Sequence, residues 1–203
     1  IIYVRGSAYG DKGPEREIGG FDGTAFWTRS GVGYTITPAA MDGMLGPGMP
    51  AFGDSIGAMN VAGGISAALF HRERTGEAIE VDVSLMSTAT WMQASTLCMH
   101  MEYGAQIRSP YPTSGCTPGN PFSGNFTTSD GGTINFCILS PDGYIRDTFE
   151  HLGLADMADD PRFGEAMPLL ENWEAAGEAI VAAIGAKPFA YWKQHLKTMK
   201  GQW

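Results

Sequence analysis

Gly53-Asp54-Ser55-Ile56-Gly57, continued by AMNVAGGISAALFHRERTG to Gly76, is the stretch that decides the fold. Two glycines bracket a carboxylate at the mouth of a long Gly/Ala-rich helical segment. The next run, EAIEVDVSLM, alternates Val81, Val83 and Leu85 with Asp82 and Ser84, which marks a strand with one more polar face. Residues 1–4 read as a second strand, apolar on both faces as in a parallel sheet. Strand, turn, helix and strand, with an acid at the turn, is how an open α/β sheet presents a reactive group. A plainer reading makes Asp54 or Ser55 the N-cap of a helix starting at Ser55, accepting a backbone N–H in its first turn. The residues alone leave both readings open.

Within that helix Ala58, Ala62, Ile65 and Leu69 recur at helical spacing and form the expected buried face. His71, Arg72 and Arg74 complement the negative helix end, and Gly76 is the expected stop. Gly63 and Gly64 each cost roughly 1 kcal/mol relative to Ala in mid-helix. A small-residue face packed closely on a neighbour accounts for them. Residues 5–23 read as glycine-rich loop, followed by a helical stretch near Thr24–Gly31 carrying Phe26 and Trp27, which are expected to pack in a core. Residues 38–53 read as loop, and 87–103 as one Met-rich helix whose methionines fill core gaps.

The chain has 203 residues, 43% hydrophobic and 17% charged, with 28 glycines and a net charge of −9. Such a balance argues against nucleic-acid binding, which leaves a basic patch. It does not argue against an anionic small molecule held by local Lys and Arg. Cys98, Cys116 and Cys137 are odd in number and form no C-x-x-C, so neither a disulfide framework nor a zinc site is expected. Cys116 is read as an incidental thiol. The histidines show no ligand spacing, no metal is expected, and a reducing cytoplasm is the expected location. No apolar run is long enough to span a membrane, and IIYVRGSAYG lacks the basic stretch and cleavage pattern of a signal peptide.

The chain is read as α/β over residues 1–103, a linker or loop over 104–125, and a small α+β domain over 126–203. GNFTTSDGGTINFCIL predicts a hairpin turning at Asp130-Gly131, with Ile134, Phe136 and Ile138 on one face. Ser140-Pro141 predicts a helix start with Pro at its first position, carrying Ile145, Phe149 and Leu152 and ended by Gly153. Two further helices are expected. One carries Trp173, Ala176, Ile180 and Ile184 and stops at Gly185; the other carries Phe189, Trp192, Leu196 and Met199 and stops at Gly201. That makes two strands and three helices.

YGDKGPEREIGGFD, then PAFGDSIGAMNVAGGISAALFHRERTGEAIEVDVSLM, then DDPRF resemble the class III CoA-transferases of the CaiB/BaiF type. That family includes formyl-CoA transferase, the carnitine and bile-acid CoA-transferases and alpha-methylacyl-CoA racemase, and the resemblance runs in order along essentially the whole chain. It implies part of an open, Rossmann-like CoA-binding domain followed by a small domain. It also implies that Asp54 is the nucleophile, attacking an acyl-CoA through a covalent aspartyl intermediate and passing CoA to a carboxylic acid. No cofactor is implied beyond the coenzyme A thioester as substrate. Asp22, in Gly-Gly-Phe-Asp, becomes either a supporting active-site acid or a loop-capping residue. Gly53, Gly57, Phe21, Gly115 and Gly119 become candidate CoA- or substrate-binding positions: the helix glycines because they let a thioester come close, the later two because 113–124 corresponds to a glycine-rich lid in some transferases.

The racemase branch pairs the motif Asp with a His at the position of Phe21. Two proton-transferring groups on opposite faces are needed there, and Phe21 departs from that pattern. Racemase or epimerase chemistry remains the alternative, beside a truncated, non-catalytic homologue. Family members are about twice this length, so the chain is expected to be an internal piece of a longer protein that forms an interlocked homodimer.

Overall fold

Strand β1, Tyr3–Ser7, pairs in parallel with β2, Glu80–Ser84, in the register Tyr3↔Glu80 to Ser7↔Ser84. The computed structural model describes residues 1–104 and 115–203, which fall into two compact units, Ile1–Pro112 and Thr113–Trp203. The first strand reaches past the expected residues 1–4 because Arg5 is neutralised in register. Its Nε donates to Asp82 Oδ2 at 2.9 Å, and its guanidinium lies 3.1 Å from Asp11.

Between the strands come a π-helix, Asp22–Arg29, a short helix α1, Val32–Ile36, and the long helix α2, Phe52–Thr75. The π-helix buries Phe26 and Trp27, which meet Phe52 edge-on at 6.1 Å each, so both aromatics are core residues as expected. The Trp27 indole N–H donates to the Leu45 carbonyl at 2.7 Å and ties down the loop ahead of α2.

Helix α2 ends as expected at Gly76, which takes φ 78° and donates to the Arg72 carbonyl at 2.8 Å. The face it buries is not the expected one. Ile65 and Leu69 are 36% and 40% exposed, while Gly57 and Ala68 are buried. A Cβ on Gly64 would sit 2.5 Å from Val81 Cγ1. Gly64 therefore lets the helix approach β2, a closeness the face with Ile65 and Leu69 would prevent.

The expected helix over 87–103 is two, α3, Leu85–Met92, and α4, Ala94–Tyr103. Leu85 opens α3 rather than extending the strand, because Ser84 and Ser87 cap it reciprocally. At the break, buried Gln93 donates from Nε2 to the Ser30 carbonyl at 3.1 Å and accepts from the Thr35 hydroxyl at 2.8 Å. Met99 and Met101 face outward, at 40% and 84% exposure, and are not core filler here.

In the second unit β3, Gly115–Thr117, β4, Asn120–Thr127, and β5, Thr133–Cys137, form an antiparallel sheet in that order. Part of the expected linker is thus strand, while its residues 105–114 lie outside the described ones. Low bulk, which reads as a linker, is what brings β3 onto β4: a Cβ on Gly124 would lie 2.3 Å from the Gly115 carbonyl oxygen. Phe122 and Phe126 on β4 are fully buried. The hairpin turns at Asp130-Gly131, and Ile134, Phe136 and Ile138 are buried as expected.

Helices α5, Ile145–His151, α6, Ala166–Glu171, α7, Trp173–Gly185, and α8, Phe189–His195, cover the sheet, with 3₁₀ turns at Ala155–Asp159 and Leu196–Thr198. The count exceeds the expected two strands and three helices because β3, α6 and the 3₁₀ turns are too short to show a period. Helix α5 begins at Ile145, four residues beyond the expected Pro141. Pro141 instead opens a turn, its carbonyl accepting from the Tyr144 N–H at 2.9 Å. The faces expected for α5 and α7 are those that pack: Ile145, Phe149, Leu152, Ala176, Ile180 and Ile184 are buried.

Candidate active site

The C-terminal ends of β1 and β2, the loop of residues 16–20 and the first turns of α2 line a cleft of about 540 Å³. Asp54 opens onto it, with Gly57, Ala58 and Val61 one and two turns further along the helix. Ser7 and Ala8 contribute from the end of β1, and Ser84 and Leu85 from the end of β2. A crevice beyond the carboxyl ends of parallel strands is where open α/β sheets bind ligands. That rule could have found Ser7 and Ser84, which the sequence reading did not name. It also missed Arg16 and Glu17, which line the cleft from the loop. The Arg16 Nε donates to Glu17 Oε1 at 3.1 Å, and this solvent-exposed pair leaves the guanidinium little constrained.

Asp54 is exposed and is the third residue of α2. Neither it nor Ser55 is the N-cap. The cap position is Ala51, in the left-handed region at φ 55° and ψ 31°, with no side-chain cap bond of its own. For a non-glycine residue that conformation costs roughly 1–2 kcal/mol. The missing cap is supplied from 31 residues away. Asp22, 8% exposed on the first turn of the π-helix, accepts the Gly53 N–H on Oδ1 at 2.7 Å. This is the amide of the second helical residue, one of those an ordinary N-cap side chain serves.

Gly53 explains itself differently from its sequence reading. A Cβ there would lie 2.1 Å from Phe26 Cγ and 2.4 Å from Asp22 Oδ1. Its glycine character admits Phe26 and Asp22, not a ligand, and it does not line the cleft. Gly57 does line it. Phe21 precedes the π-helix, its N–H bonded to Thr24 Oγ1 at 2.9 Å and its ring 84% exposed. Gly115 and Gly119 belong to the second unit, on β3 and in the turn to β4, where Gly119 takes φ 84°.

Cys116, also on β3, has its thiol pushed up from the ordinary value, chiefly by burial. It packs so closely on α7 that a Cβ on Gly177 would lie 2.3 Å from its Sγ. A neutral, packed thiol agrees with its reading as incidental. Among the described residues no helix is long and apolar enough to cross a membrane.

An α/β unit with an exposed carboxylate at the start of a helix, in a crevice at the strand ends, is the arrangement this chain builds. The model of CoA-transferase family III matches residues 1–200, and the chain belongs to that family. The cinnamoyl-CoA:phenyllactate CoA-transferase of Clostridium sporogenes is 29% identical over 171 residues, covering 81% of this chain and 39% of that protein. The (R)-2-hydroxy-4-methylpentanoate CoA-transferase of Clostridioides difficile is 25% identical over 199 residues, covering 97% of this chain and 48% of that one. A crystal structure of a CAIB/BAIF family protein from Brucella suis superposes with a TM-score of 0.74 at 20% identity, covering this whole chain and 51% of its own, and shows the shared fold. The chain spans about half the length, or less, of these relatives.

Proposed function

We propose that the full-length protein transfers coenzyme A from an acyl-CoA thioester to a carboxylic acid, with Asp54 as the nucleophile. The observation that carries this reading is the position of Asp54: exposed, in the first turn of a 24-residue helix, on the wall of the strand-end cleft. A carboxylate oxygen of Asp54 attacks the thioester carbonyl and displaces CoA thiolate, leaving a mixed anhydride. The thiolate then attacks the Asp54 carbonyl of that anhydride, forming an aspartyl-CoA thioester and releasing the donor acid. The acceptor carboxylate repeats the two steps in reverse, so CoA leaves on the acceptor and Asp54 is regenerated. Splitting one transfer into such steps is what a covalent nucleophile achieves. Both nucleophiles are already anions, so the demand on the site is to stabilise oxyanions. The amino end of α2 carries the partial positive charge suited to that.

Racemase chemistry draws no support from the cleft. Among the described residues no histidine lines it, and Phe21 has no proton to exchange. The measurement that tests the reading is CoA exchange by the full-length protein between a panel of acyl-CoAs and free acids. Asp54→Asn is expected to lower turnover by at least about a thousandfold, as loss of a covalent nucleophile does. Retention of wild-type turnover by that variant would remove Asp54 from the mechanism. We further infer that the full-length protein is a homodimer. The exposed side chains of Trp91, Met101 and Tyr103 on α3 and α4, at 75%, 84% and 72%, favour a covered face, and sedimentation of the full-length protein at half its dimer mass would count against it.

A further inference from the structure

We infer that Asp22 is a positioning residue for the nucleophile, acting through the Gly53 N–H and not on the substrate. The inference deepens the proposed role of Asp54 and rests on it. Four features meet at this point. The carboxylate of Asp22 is buried and bonded to the amide immediately before Asp54. The local cap position, Ala51, is strained and supplies no cap bond. Gly53 leaves no space between the helix backbone and Phe26. Asp22 itself starts a π-helix, an uncommon element that concentrates at functional sites.

Together they lock the first turn of α2 from outside the helix. A self-capped helix needs only its own preceding residue. This one takes its cap from a separate element that also packs beneath it, so the direction in which Asp54 leaves the helix is set by the π-helix. Strain held beside a reactive residue, here at Ala51, persists only when its surroundings over-determine it, and Asp22 with Phe26 is that surrounding. Asp22 moves no proton in this account. It needs only an acceptor oxygen in one place, so Asn serves nearly as well and Ala does not.

The test uses the full-length enzyme with Asp22→Ala and Asp22→Asn, and ¹⁵N-glycine labelling to follow the Gly53 amide. Asp22→Ala is expected to lower kcat by about 10- to 100-fold, the range for a displaced catalytic group, with KM for the acyl-CoA within about twofold. Asp22→Asn is expected to restore kcat to within about threefold of wild type. The Gly53 amide is expected to exchange slowly with solvent in the wild type and in Asp22→Asn, and its resonance to move to the position of an unbonded amide in Asp22→Ala. Equal loss in Asn and Ala would make Asp22 a proton-transferring residue and overturn the inference. An unchanged kcat in Asp22→Ala, or a Gly53 amide indifferent to Asp22, would overturn it as well. The amide readout needs no turnover, and Asp22→Asn supplies a second variant should Ala not fold, so it separates failure of this inference from failure of the Asp54 reading, which Asp54→Asn tests alone.

Discussion

Gly53 has no room for a side chain, and the reason is a contact 27 residues away in sequence. Its Cβ would occupy the Phe26 ring. Gly53→Ala is expected to destabilise the protein by about 1–3 kcal/mol, the usual cost of overfilling a packed site, and to lower turnover because the displaced turn carries Asp54. Thermal unfolding and initial rates on the same preparation check both effects. The place of Asp54 in the first turn of a helix was legible in the sequence, because an acid between glycines at the start of a helical run carries a local pattern. The Asp22–Gly53 bond was not, because a side chain reaching a backbone amide across 31 positions leaves no periodic trace. The sequence reading could name Asp22 and offer two roles, but only the folded chain brings its carboxylate to the helix.

At the scale of elements, α2 shows why hydrophobic spacing alone misleads. Ile65 and Leu69 make the more apolar face, yet Gly64 faces Val81 on β2 and Gly57 faces Leu85 and Thr88 on α3, because close approach is set by what fits and not by what is most apolar. Gly64→Val is accordingly expected to push α2 off Val81 and lower the unfolding midpoint, whereas Leu69→Ala on the exposed face changes it little. Faces in the second unit were legible because α5, α7 and β5 bury strictly periodic residues on one side. The strand β3 was not, since three residues have no period.

The hairpin between β4 and β5 carries a pH dependence. The Asp130 carboxylate accepts from the Thr128 hydroxyl at 2.5 Å and from the Phe189 N–H at 2.9 Å. These bonds, the hydroxyl first, hold its pKa below the ordinary 3.8. A depressed folded-state value means stability that is present above the unfolded value and lost as pH falls through the folded one. Acid unfolding followed below about pH 4 is therefore expected to be shallower in Asp130→Asn than in wild type. Asp160, also held low by its bonds from Arg162, stays in both and keeps part of the slope. Identical slopes would show that the hairpin bonds do not favour the carboxylate.

For the whole molecule, the two units differ in how much core they own. Among the described residues the second unit has one cluster of 17 buried hydrophobic residues, from Phe122 to Met199, and the first a cluster of four, Phe26, Trp27, Val32 and Ala89. Burial of apolar area is the main favourable term in folding, so residues 113–203 expressed alone are expected to unfold cooperatively in denaturant, and residues 1–112 alone are not. A cooperative transition in the shorter-core unit would contradict that division. The sequence shows a change in pattern after residue 103, but the shortage of core in the first unit was not legible, because exposed and buried apolar residues look alike in a sequence. The account's central claim is the covalent role of Asp54, and trapping tests it most directly. The full-length protein is incubated with a panel of acyl-CoAs and hydroxylamine, and its peptides are mapped by mass spectrometry. A hydroxamate on Asp54, dependent on an acyl-CoA, is the expected result; an unmodified Asp54 in a preparation that still transfers CoA would contradict the account.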